Sequence, residues 1–76
     1  MQSNRYNTEI VKLGERVKQI RTQKGISQFD LEAASGIDRG NISKIENGKM
    51  DIHFSSIVKL AEGLEVELWE LFEKGK

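Results

Sequence analysis

Apolar residues recur at steps of three and four along the first third of the chain. Four of them are Ile10, Leu13, Val17 and Ile20. This spacing places them on one face of a helix, and it predicts a first helix over residues 8–24, capped by Asn7 or Thr8. The same analysis predicts further helices over residues 28–34, 39–46, 54–62 and 67–73. We therefore expect a compact all-α domain of five helices.

Turn-forming residues bound the short second and third helices. Ser27 can cap the second helix by accepting a backbone hydrogen bond, and Asp30 is a short variant of the capping-box acid. Gly36 lies where a left-handed residue is needed, and Asp38 can cap the third helix. Two short helices joined by a tight glycine turn are typical of a helix-turn-helix.

The last two predicted helices carry apolar stripes of their own. Gly63 is expected to end the fourth helix at residue 62. In the fifth helix Leu68, Leu71 and Phe72 form the stripe, and Trp69 lies off it. An outward tryptophan favours a partner surface, because aromatic residues are enriched at interface cores. The alternative is that Trp69 covers the edge of its own domain.

Length and composition limit the class of protein. Seventy-six residues suffice for one small domain, here residues 8–73, between a flexible arm at 1–7 and a disordered tail at 74–76. The chain has no cysteine and one histidine, so we expect no metal and no cofactor. We find no nucleophile–base pair and predict no enzyme. The lack of a membrane-length apolar run and of a signal pattern favours a cytoplasmic protein.

Charge is balanced overall but unevenly distributed. Residues 12–49 carry eight basic and five acidic residues, a net +3, whereas residues 50–76 carry three basic and six acidic residues, a net −3. This asymmetry can turn the helix-turn-helix toward DNA and the acidic end away from it. Ordinary surface charge is the alternative explanation.

The motif resembles the helix-turn-helix of the phage repressor and Cro family of small bacterial transcription regulators. The matching positions of the motif are Gly25, Ser27, Gln28, Leu31, Gly36, Ile42, Ser43, Ile45, Glu46, Asn47, Gly48 and Lys49. The match continues outward at Leu13, Gly14, Val17, Ile20, Arg21, Leu60, Ala61, Leu64, Val66, Leu68, Leu71 and Phe72. The resemblance covers roughly residues 12–73. It implies a lambda-repressor-like fold and a sequence-specific regulator of transcription, usually a repressor, that binds double-stranded DNA as a homodimer.

In such motifs the third helix enters the major groove, and this assigns contacts to two sets of residues. The expected base contacts are Arg39, Gly40, Asn41 and Lys44. The expected phosphate contacts are Ser27, Gln28, Ser43, Asn47 and Lys49. Arginine can bind guanine O6 and N7 bidentately, and a helix start is a ready phosphate site. By analogy with relatives, the expected dimer interface is Trp69, Leu68 and Phe72.

The resemblance also implies a structural ion pair between Arg21 and Glu46, which would join the first helix to the third. A phosphate contact by Arg21 is the alternative role. Two positions depart from the family pattern. Glu32 replaces an alanine at the approach of helices two and three, so either the helices lie farther apart or the side chain folds outward. Ile52 replaces a proline before the fourth helix, so that helix must start from His53 or Ser55.

Three alternatives to a transcriptional repressor stay open. The first is a DNA-binding antitoxin whose C-terminal helix or N-terminal arm binds a toxin as protein partner. The second is a restriction–modification controller protein, which resembles this chain in size and architecture. The third is a protein-interaction module that has kept the fold but lost DNA binding.

Overall fold

The computed structural model describes residues 4–73, and within them it is entirely helical, without a β-strand. Four α-helices are followed by one 3-10 helix. Their bounds are α1 Asn4–Gln23, α2 Gln28–Ser35, α3 Arg39–Glu46, α4 Phe54–Leu64 and the 3-10 helix Leu68–Phe72. The helix-turn-helix prediction is confirmed to within one residue. The prediction of a fifth α-helix is wrong, because the last element is a 3-10 helix.

Helix α1 begins one turn earlier than the predicted residue 8. Thr8 does not cap it; the Thr8 hydroxyl donates back to the Asn4 carbonyl oxygen at 2.8 Å, as a threonine inside a helix can. Tyr6 lies in this added turn, where desolvation and a hydrogen bond to Asp51 raise its pKa. Residues 4–7 of the expected arm are thus helical. Residues 1–3 of that arm and the expected tail at 74–76 lie outside the described residues.

A capping box starts α2, as its sequence predicts. The Ser27 hydroxyl accepts from the Asp30 backbone N–H at 2.9 Å, and the Asp30 carboxylate accepts from the Ser27 N–H at 3.1 Å. These bonds favour the ionised acid and lower the pKa of Asp30. At the other end Gly36 adopts φ 79°, the left-handed region that a residue with a Cβ rarely occupies. Together the two devices fix the length of α2.

Gly63 lies inside α4 and does not end it. The helix continues to Leu64, and Glu65 follows in the left-handed conformation with φ 58°. Gly63 is buried against α2, where an added Cβ would lie 3.0 Å from both the Leu31 side chain and the Ser35 Cβ. The prediction of a break at residue 62 is therefore wrong. The absence of a side chain at Gly63 allows α4 to pack closely on α2.

The 3-10 helix sorts its side chains with a period of three, since it has three residues per turn. Leu71 is buried and Leu68 packs against the core, whereas Trp69 and Phe72 are each 60% exposed. The sequence analysis grouped Phe72 on one stripe with Leu68 and Leu71, whereas in the structure Phe72 lies with Trp69 on the exposed face. Arg16 of α1 holds this segment by donating from Nε to the Glu70 carbonyl oxygen at 2.8 Å.

One apolar core joins all five elements. Its buried members are Val17, Ile20, Leu31, Ile37, Ile42, Ile45, Ile57, Leu60, Ala61, Leu64 and Leu71. Helix α1 packs on α3, and α2 packs on both α3 and α4. At the crossing of α1 and α3, Gly14 is buried directly against the Ile45 carbonyl group, and a Cβ there would overlap the oxygen atom. The backbone of α3 thus lies directly on α1.

We expect Gly14→Ala to destabilise the domain by roughly 3 kcal/mol, since overpacking against backbone cannot be relieved by a rotamer change. Gly63→Ala should cost less, because an added Cβ there would lie 3.0 Å or more from its neighbours in α2 and would not overlap a backbone oxygen as it does at Gly14. Lys18→Ala, at an exposed site of α1, serves as the control. Urea denaturation measures all three. A Gly14→Ala protein as stable as the control would contradict the crossing described here.

Candidate nucleic-acid interface

Helix α3 has two chemically distinct faces. Ile42, Ile45 and Glu46 are buried against the rest of the domain. The side chains expected to contact bases all lie at exposed positions, namely Arg39, Gly40, Asn41 and Lys44. The outward face of α3 therefore offers the side-chain donors of Arg39, Asn41 and Lys44 to solvent, while the opposite face is used for packing.

Two carboxylates occupy the start of α3. Asp38 Oδ2 accepts from the backbone N–H groups of Gly40 at 2.9 Å and Asn41 at 3.3 Å. Glu32 Oε2 accepts from the Arg39 N–H at 3.0 Å. Glu32, which departs from the family pattern, thus reaches across from α2 to cap the third helix. These bonds fill the orphan donors of the helix start, so any contact with nucleic acid there must come from side chains.

An aromatic contact involving Arg39 is absent from the sequence predictions. The guanidinium carbon of Arg39 lies 3.9 Å from the centroid of the Phe29 ring. Phe29 belongs to the first turn of α2 and is 62% exposed. Sequence spacing gives no signal for this contact, because the two residues are on different helices and meet only across the glycine turn.

Glu46 is the meeting point of three helices. Its carboxylate accepts from Arg21 Nε at 2.6 Å, from Arg21 Nη2 at 3.1 Å and from Gln28 Nε2 at 3.0 Å. Arg21 also donates from Nη1 to the Ile26 carbonyl oxygen at 2.8 Å. The side chains of Arg21 and Glu46 are 11% and 2% exposed. Arg21 is therefore a structural residue here, because its side chain is buried and binds Glu46 and Ile26 instead of pointing toward a phosphate at the surface.

Most of the expected phosphate contacts lie near the ends of α2 and α3, and Ser43 is half-buried within α3. Ser27 caps α2 and Gln28 is half-buried because its amide binds Glu46. Asn47 ends α3, and its Nδ2 donates to the Ser43 carbonyl oxygen at 2.9 Å. Lys49 follows in the loop with an exposed side chain. The structure thus gives Ser27, Gln28 and Asn47 definite partners within the protein.

The expected dimer residues lie at the opposite end of the chain. Trp69 and Phe72 share the outer face of the 3-10 helix, and Leu68 is half-buried beneath them. Phe72 also lines an open groove of about 1000 Å³ against α1, together with Tyr6, Ile10 and Leu13. This end therefore exposes apolar surface that the domain itself does not cover.

Other types of site find no support in residues 4–73. No three His, Asp or Glu residues among them are grouped to hold a metal ion. His53 precedes α4 without a side-chain cap bond. None of the described helices has the length and apolar character needed to cross a membrane.

Residues 17–71 match the model of the helix-turn-helix family HTH_3, a span that contains α2, the glycine turn and all of α3. The chain belongs to this family. It is a DNA-binding transcription regulator of the Cro/C1 type, as its resemblance to phage repressors implied. The family match agrees with the geometry, in which α3 presents polar side chains outward from a helix-turn-helix.

Several proteins similar to this regulator are control or controller proteins. It is 35% identical over 63 residues to the control protein C.MunI of a Mycoplasma species, covering 82% of this chain and 85% of the relative. The crystal structure of the restriction-modification controller protein C.AhdI from Aeromonas hydrophila superposes with a TM-score of 0.83 at 40% identity, covering 86% of this chain and 98% of the other. Wild-type C.Esp1396I, another such controller, gives 0.80 at 32% identity, covering 93% and 87%.

We expect Arg21→Met and Glu46→Gln each to destabilise the regulator by about 3 kcal/mol, because each leaves a buried charged partner uncompensated. The double variant should lose clearly less than the sum of the two single losses. As a control, Lys12→Met removes an exposed ion pair, Lys12–Glu9 at 3.8 Å, and should change stability by under about 0.5 kcal/mol. Thermal and urea melts test this cycle. Strictly additive losses would rule out direct coupling.

Proposed function

We propose that this regulator binds a two-fold symmetric DNA site as a homodimer, with α3 of each subunit in the major groove. The observation that carries the proposal is the outward face of α3, where Arg39, Gly40, Asn41 and Lys44 are exposed beside a fully packed inner face. Arginine and lysine can donate to guanine O6 and N7, and asparagine can bind adenine. Gly40 has no side chain and lets the helix approach the base edges closely.

Phosphate contacts position the helix. The residues assigned to phosphates lie before, within and after α3 in the sequence, namely Ser27, Gln28, Ser43, Asn47 and Lys49. A primary amide has two N–H donors. Gln28 uses one on Glu46 and Asn47 uses one on Ser43, so each keeps a second donor for a phosphate oxygen. The Glu46 bond also holds Gln28 at a fixed place relative to α3. The uneven charge, +3 over residues 12–49 and −3 beyond them, turns this end of the domain toward DNA.

The subunits meet through the 3-10 helix. Trp69 and Phe72 give this segment two adjacent exposed rings, and Leu68 lies between them and the core. Exposed aromatic side chains of this kind are common anchors of protein interfaces. A dimer places two copies of α3 about one helical turn apart, roughly 34 Å, on a symmetric operator.

The regulated genes are those of a restriction–modification system, and promoter occupancy represses them. This assignment follows the similarity to three controllers, of which two are 35% and 40% identical over most of both chains. As a bacterial DNA-binding protein, the regulator acts in the cytoplasm. A restriction endonuclease gene beside its own gene would support the assignment, whereas a toxin gene there would favour an antitoxin instead.

Selection of bound duplexes from a random DNA pool, at near-physiological salt, tests sequence-specific binding. We expect a two-fold symmetric site with guanines in each half. Recovery of no preferred sequence, with binding that disappears as salt rises, would leave only an electrostatic surface and would contradict the proposal.

Arg39→Ala and Lys44→Ala should each weaken binding to the selected site by roughly 1–3 kcal/mol, as expected for loss of a base contact. Neither side chain supports the core, so melting temperatures should stay near that of the unmodified protein. Lys59→Ala, an exposed lysine on α4, is the matched control and should bind normally. Undiminished affinity of the Arg39→Ala, Lys44→Ala double variant would favour a protein-interaction module that has lost DNA binding.

Trp69→Ala should weaken dimerisation by roughly 2 kcal/mol, the size of an aromatic anchor at an interface, while the monomer stays folded. Phe54→Ala is the matched control, because Phe54 on α4 is equally exposed, at 64%. Sedimentation equilibrium over a range of concentrations measures both. A protein that is monomeric throughout, or a Trp69→Ala dimer as tight as the control, would exclude this interface.

A further inference from the structure

Phe29 is exposed in a way that the core does not explain. It lies one residue after Gln28 in the first turn of α2 and is 62% exposed, whereas Leu31 of the same helix is fully buried. The Arg39 guanidinium carbon lies over this ring, 3.9 Å from its centroid. A large apolar ring at this place is thus used to contact the leading arginine of α3.

The carboxylates near Arg39 do not compete for its side chain. Asp38 Oδ2 is bound to the backbone of Gly40 and Asn41, and Glu32 Oε2 is bound to the Arg39 backbone N–H. Among residues 4–73 the Arg39 guanidinium forms neither a hydrogen bond nor an ion pair. The arginine is therefore held by the ring, and its charge is not consumed within the protein.

When an arginine stacks on an aromatic ring, the atoms that contact the ring differ from the N–H groups that donate hydrogen bonds. A guanidinium that lies over an aromatic ring uses its flat face, while its five N–H donors point outward in the plane of the group. These in-plane donors are the ones that pair bidentately with guanine O6 and N7. Arg21 shows the contrast, because its donors are spent on Glu46 and Ile26.

We propose that Phe29 is a positioning residue for base recognition, whose ring holds Arg39 with its N–H edge directed at a guanine. The proposal rests on the proposed function, in which Arg39 contacts a base. A flexible arginine must lose rotamer freedom when it binds, and a stacked one has lost part of it beforehand. Removing the ring therefore lowers discrimination at that one base and leaves the remaining contacts intact.

The experiment compares the selected operator with a copy in which 7-deazaguanine replaces the guanine that Arg39 contacts, so that the N7 acceptor is lost. The measured quantity is the dissociation constant for the modified operator divided by the dissociation constant for the selected operator. Phe29→Leu should lower this ratio about three- to tenfold, the scale expected for an arginine–aromatic stack between exposed and desolvated settings. Phe29→Tyr keeps the ring and should restore it. Phe54→Leu, which changes an equally exposed phenylalanine on α4, should leave the ratio unchanged.

A second set of variants separates the inference from the function beneath it. In an Arg39→Ala background, Phe29→Leu should have no further effect on the ratio. If Arg39→Ala lowers the ratio but Phe29→Leu does not, the positioning role is overturned and the base contact stands. If Phe29→Leu acts equally in both backgrounds, the ring contacts DNA itself and the proposal fails. If Arg39→Ala leaves the ratio unchanged, both the base contact and the positioning role are overturned.

A measurement without DNA tests the stack directly. The Arg39 side-chain N–H proton should resonate upfield in the free protein, because it lies in the shielding region of the ring. Phe29→Leu should abolish this shift and Phe29→Tyr should preserve it. An Arg39 resonance at the same position in the unmodified and Phe29→Leu proteins would overturn the proposal.

Discussion

A buried carboxylate at the end of α3 is the constraint around which this domain is arranged. The Glu46 side chain is 2% exposed, and an ionised group so placed must be compensated by charge and hydrogen bonds. Arg21 supplies both from α1, and Gln28 supplies a further donor from α2. These bonds, together with the contact of Gly14 with the Ile45 carbonyl group, set the orientation of α3 relative to α1 and α2. Apolar contacts alone would let α3 slide along α1, whereas the bidentate ion pair between Arg21 and Glu46 fixes the position of one helix relative to the other.

The same interaction links stability to recognition. Gln28, which we assign to a phosphate, is held by the carboxylate that anchors α3. Glu32 reaches in the other direction, from α2 to the start of α3. Side-chain hydrogen bonds therefore join α2 to both the start and the end of α3, in addition to the glycine turn between the two helices. A helix pair so joined meets DNA as one rigid unit.

Local features of the sequence were sufficient to predict much of this fold. Ser27, Gly36 and Asp38 act within a few residues of their own positions, so caps and turns could be inferred from residue type. Gly63 could not be placed correctly, because its role depends on Leu31 of another helix. The helical period of residues 68–72 was also predicted wrongly, because the apolar spacing in so short a segment is compatible with both an α-helix and a 3-10 helix. Glu32 and Phe29 were out of reach for the same reason as Gly63, as their partners lie across the turn.

The division of α3 into two faces has a consequence for how new regulators arise. Packing depends on Ile42, Ile45 and Glu46, while the outward positions contribute almost nothing to the core. If α3 contacts bases as proposed, mutations at these outward positions would change the DNA sequence that is bound without eroding the folded state. Such a scaffold suits the construction of orthogonal gene switches, in which a set of regulators shares one framework and each binds only its own DNA site.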